Sequence, residues 1–132
     1  MNLHLDEAWR ALRLADRDIR AFEVLREDGE THASIVCFHA QQAVEKCLKA
    51  VLYSRRIEFR RTHHLPELAL LLVQDGVEVP LTQEQLMWLS PFAVTFRYDD
   101  ADVELNAADE LAVWVRVVRE WAGAQIDAAA GP

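Results

Sequence analysis

Histidine stops early in this chain of 132 residues: five are present, and none follows His64. The second half therefore offers no imidazole for proton transfer near neutral pH. Cysteine is as sparse, with Cys37 and Cys47 alone. They lie ten residues apart in one helical stretch, and ~1.5 Å of rise per residue separates them too far for a disulfide. Both are expected as buried, reduced thiols. Glycine and proline number four each, which excludes collagen-like repeats and low-complexity disorder. No apolar run approaches the roughly 20 residues of a membrane span. The opening MNLHLDEAWR carries acidic residues and no signal-like apolar stretch, so a cytoplasmic protein is expected. Basic charge is outweighed, with 14 Lys and Arg against 22 Asp and Glu and a net charge of −8. That balance repels phosphate backbones at long range and disfavours a general nucleic-acid binder. No segment alternates apolar and polar residues with the period of a strand.

What is there is helical periodicity. Leu5, Ala8, Leu12, Ala15, Ile19, Phe22 and Leu25 recur in steps of three and four, which predicts a first amphipathic helix from about Leu5 to Arg26. Gly29 lies just beyond it, and a second helix is expected from about Thr31 to Arg56. THHLPELALLLVQDG predicts a shorter third helix, with Pro66 in its first turn and Gly76 past its end. Thr82 and Gln85 have capping-box spacing. The fourth helix that follows should kink at Pro91. After an acidic link, RYDDADVEL, Asn106 is expected to cap the last helix. The chain thus reads as all-α, an up-and-down bundle of about five helices. One domain spans 1–126, with 127–132 as a frayed tail.

The second helix divides into two halves at ~100° per residue. Val36, Cys37, Ala40, Ala43, Val44, Cys47, Leu48 and Val51 share an apolar side. His39, Gln41, Gln42, Glu45, Lys46 and Lys49 share the other, with Phe38 among them. Glu45 four residues before Lys49 suits a simple solvated ion pair. Paired glutamines and an aromatic in the same line suit a groove or an interface rim better. Downstream, Arg55, Arg56, Arg60 and Arg61 form a basic knot. The run DDADVELN lacks the glycine and the final glutamate of a calcium loop, and the cysteines fall away from His39. No metal and no cofactor are expected.

FHAQQAVEKCLKAVL, then THHLPEL and FRYDD, together resemble the HEPN family (higher eukaryotes and prokaryotes nucleotide-binding domain), in its small stand-alone prokaryotic form. The resemblance covers nearly the whole chain and implies a helical bundle, generally homodimeric, often paired with a nucleotidyltransferase in a toxin–antitoxin system. Many members are metal-independent ribonucleases that use Arg-x4–6-His, the histidine moving protons and the arginine steadying phosphate. Arg97 matches that arginine, but no histidine follows it. The expectation is therefore an accessory or toxin-type subunit that binds a nucleotide or RNA phosphate through Gln42, Glu45, Lys46, Lys49, Arg97 and Tyr98. One alternative is a ribonuclease with a displaced histidine, His39 or His63; Arg56 and His63 have the formal spacing, although His63 is expected to cap or pack at the third helix. The other is a purely structural dimer.

Overall fold

The structure, a computed structural model, describes residues 2–95 and 106–131. Six helical segments follow in order: α1 (Leu3–Glu27), α2 (Ala33–Ser54), α3 (Leu65–Gln74), α4 (Gln83–Leu89), α5 (Phe92–Thr95) and α6 (Asn106–Ala130). No strand occurs among the described residues. Leu5, Ala8, Leu12, Ala15 and Phe22 bury the stripe of α1. Asp28 closes that helix, its N–H bonding to Leu25 O. It also organises the turn that follows, accepting from Thr31 Oγ1 at 2.6 Å and Glu30 N at 3.3 Å. The Thr31 hydroxyl holds the Asp28 carboxyl below its ordinary range. This short turn folds α2 back along α1, and the pair forms the most extensive contact in the molecule.

α2 is the central element. It packs against α1 and α6 on one flank and against α3, α4 and α5 on the other. Small residues permit that approach: Ala40, Ala43, Cys47 and Ala50 are all essentially inaccessible. With neighbours on so many sides, α2 buries polar positions that a two-sided helix would leave wet.

Two helix ends use the same device with different residues. After α3, Gly76 takes φ +84° while Gly76 N bonds to Val73 O and Val77 N to Leu72 O. After α2, Arg56 takes φ +57° with the matching bonds, Arg56 N to Tyr53 O and Ile57 N to Leu52 O. Both are Schellman ends, and only glycine enters that left-handed conformation without strain.

The expected fourth helix is broken rather than kinked. Ser90 N–H closes α4 on Leu86 O, and Pro91 supplies no N–H to continue. The chain restarts as α5 through Val94 N to Pro91 O. The capping box at Thr82 and Gln85 is present in both directions, at 3.1 and 2.8 Å. The last helix begins at Asn106 and runs to Ala130, so residues 127–130 extend it as an exposed turn. No helix among the described residues is long and apolar enough to cross a membrane.

Candidate functional site

Gln41 and Glu45, one turn apart on α2, are 0% and 3% exposed. They face the chain entering α3. The Glu45 carboxylate accepts from Gln41 Nε2 at 3.1 Å, from Lys49 Nζ at 2.9 Å and from His63 Nδ1 at 2.9 Å. Gln41 Nε2 also donates to the backbone oxygen of His63 at 3.1 Å, while its Oε1 accepts from Gln42 Nε2 at 2.7 Å. Ser90, at the break after α4, donates to the same His63 oxygen and accepts from Leu65 N–H. A buried carboxylate is tolerable only with such partners. The consequence is geometric: His63 is fixed by its ring and by its carbonyl at once.

A second cluster lies on the opposite flank of α2. Asp18 of α1, 9% exposed, accepts from Lys46 Nζ and meets His39 Nδ1 at 3.1 Å. Phe38 packs edge-on against the His39 ring. Asp18 is not among the site residues expected from the sequence, although Ala15, Asp18 and Phe22 step by three and four along the buried stripe of α1. That spacing was the available signal.

Hydrogen-bond partners fix the histidine tautomers. An ionised carboxylate only accepts, so the Nδ1 of His63 and of His39 carries a proton and donates it to that carboxylate. His64 is the reverse. It caps α3, the position expected for His63, with Nδ1 accepting from Glu67 N–H at 3.3 Å; its Nε2 therefore carries the proton. His63 and His64 together form one wall of an open cavity of about 270 Å³, completed by Ser90 and by apolar Met87, Pro91, Ala93 and Val94. That is near the lower end for small-ligand sites. The His63 side chain is 56% exposed, against 25% for His39.

Of the other expected site residues, Gln42, Lys46 and Lys49 are half-buried and engaged as described. Arg97 and Tyr98 lie outside the described residues. The basic knot does not form a single phosphate cradle. Arg55 pairs with Asp75 at 2.7 Å, Arg56 donates to His4 Nε2, and Arg60 grips Glu67 with two nitrogens. That grip raises the Arg60 pKa and lowers that of Glu67. Cys37 and Cys47 are free and buried, and burial pushes their thiols up to about 11 and about 12. Neither is a nucleophile at neutral pH. No group of side chains suited to a metal ion occurs among the described residues.

The class this defines is an all-α bundle whose central helix carries inward polar clusters beside a small cavity. Residues 8–125 match the family model described as the HEPN domain, and the chain belongs to that family. Its fold is similar to the crystal structure of an archaeal HEPN homologue, with a TM-score of 0.67 at 22% identity, covering 90% of this chain and 97% of that one. Comparison with curated protein sequences gave no match.

Proposed function

We propose that this chain is a HEPN subunit that binds a nucleotide or an RNA phosphate and acts with a nucleotidyltransferase partner, as a cytoplasmic homodimer of accessory or toxin type. The observation that carries this reading is the Glu45 cluster. One buried carboxylate gathers Lys49 and His63, and the exposed His63 ring borders an apolar cavity. A planar ring suits the apolar walls, and phosphate suits the donors at the edge. Glu45 then positions rather than touches the ligand. Gln42, Arg97 and Tyr98 are proposed to complete the binding surface, whereas Lys46 is engaged by Asp18 on the other flank of α2.

The test is a thermal-shift titration with ATP, GTP and a short RNA. Saturable stabilisation that is lost in Lys49→Ala, His63→Ala and Arg97→Ala supports the reading. An unchanged response in all three variants refutes it. A second reading, metal-independent ribonuclease, is favoured by the outward edge of the His63 ring, whose Nδ1 is held by Glu45 while the side chain is 56% exposed at the cavity. Cleavage of RNA in EDTA that disappears in His63→Ala would establish it. A purely structural dimer is supported if no ligand binds and an exposed apolar face, such as Trp88 with Val94, governs self-association.

A further inference from the structure

α1 and α6 meet far less than either meets α2. Two ion pairs bridge the seam between them, Arg26 with Asp109 at 3.2 Å and Arg119 with Asp16 at 2.6 Å. Both partners shift by ten residues from one bridge to the other, so the two helices run antiparallel. At ~1.5 Å of rise per residue the bridges stand about 15 Å apart. Between them the seam opens into a cavity of about 370 Å³. Ile19 and Phe22 of α1, with Ala112 and Val115 of α6, give it an apolar lining. The end at Arg119 is held firmly. Its Nε and Nη2 both donate to Asp16, and its Nη1 lies where a Cβ on Gly123 would come within 2.9 Å. The remaining rim charges are Glu23, Arg116 and Glu120, all exposed. Among the described residues Arg116 has no ion pair and no side-chain hydrogen bond, although it borders this apolar slot.

We propose that this slot binds a small organic acid with one carboxylate and an apolar body. The body displaces water from the lining between the two bridges, and the cavity is within the range of small-ligand sites. The carboxylate takes the planar fork of Arg116, which is charged at all working pH values and matches two oxygens at once. Charge complementarity limits the ligand to a single negative charge. Arg26 and Arg119 are already neutralised by Asp109 and Asp16. Glu23 and Glu120 border the same slot, so a doubly charged phosphate would gain one guanidinium and meet two carboxylates. An ammonium ligand would find those glutamates, but it is a strongly hydrated point charge with no fork to match. The slot shares no residue with the cavity beside His63, so it stands or falls apart from the nucleotide reading.

Decanoate, decyl phosphate and decylammonium vary the head group on one body. Each is titrated into the whole chain by calorimetry, below its micelle concentration and at about pH 8, where phosphate carries its second charge. Decanoate should bind about ten-fold or more tightly than either of the others. Arg116→Gln, at an exposed and unpaired position, should weaken decanoate by about the same factor and leave the melting temperature unchanged. Ala112→Leu fills the lining and should weaken decanoate with Arg116 intact. Glu23→Gln removes a like charge and should narrow the gap between decanoate and decyl phosphate. Equal binding of the three overturns the proposal, because burial of the body alone would then account for it. Tighter binding of decyl phosphate overturns the limit to one charge. Tighter binding of decylammonium hands the rim to Glu23 and Glu120 and overturns the role of Arg116. No binding of decanoate, or an affinity untouched by Arg116→Gln, overturns the site itself.

Discussion

His39 and His63 each rest Nδ1 against a carboxylate, and both carboxylates belong to or face α2. They nevertheless sit in different regions with different consequences. Asp18 lies between two helices that are already packed along their length, and its partners His39 and Lys46 reach solvent. Glu45 instead ties α2 to a linker, and it is 4% exposed at the side chain. The first pair closes a gap in a helix–helix seam. The second holds an irregular segment in place and leaves the edge of the His63 ring exposed. The difference shows that a dyad becomes a candidate site through what surrounds it, not through its own geometry.

The largest expected effect follows from that contrast. Glu45→Ala removes one of the two acceptors of the Gln41 amide in the core, together with the partner of Lys49 and His63, and should cost about 3–5 kcal/mol in urea unfolding. Asp18→Ala leaves His39 and Lys46 free to hydrate and should cost only about 1–2 kcal/mol. Equal losses in the two variants would break the comparison. A control on the linker itself is Arg56→Gly, which touches neither dyad and relieves a left-handed residue. It should stabilise by about 0.5–1 kcal/mol, once the looser unfolded chain is counted.

The smallest effect belongs to the Arg60–Glu67 pair beside His64. Glu67 titrates below its usual 4.5 because Arg60 bonds to its carboxylate. Its contribution is therefore complete above that value and fades as pH falls through the lowered one. Glu67→Gln should differ slightly from the parent at pH 7 by thermal melting, and the difference should shrink as the pH is taken progressively below 4.5. A difference that persists in acid would point to the α3 cap rather than the ion pair.

Most of the fold was legible because it depends on local periodicity. The stripe of α1, the capping box at Thr82 and the Gly76 stop each declare themselves within a few residues. The break at Pro91 was legible in position but not in extent, since the side chain of Ser90 is drawn off to His63 and Leu65. The polar half of α2 was recognisable as unusual. Its inward turn at Gln41 and Glu45 was not, because that depends on α3, α4 and α5 covering a second flank. The pairing of His63 with Glu45 joins residues 18 apart across two elements. Sequence spacing carries no signal for it, and the same holds for Arg55 with Asp75. Membership of the HEPN family, by contrast, was readable from FHAQQAVEK and its neighbours.

The central position of α2 also sets a hierarchy of opening. A helix touched by every other described helix exchanges its amide hydrogens only when the whole bundle comes apart. The linker bearing His63 has no such enclosure and can detach while α2 stays protected. One half of the dyad is thus mounted on the most enclosed helix and the other on a linker held by the side chains of Glu45, Gln41 and Ser90. Opening the candidate site requires only that these few bonds break, whereas losing α2 requires the bundle to come apart.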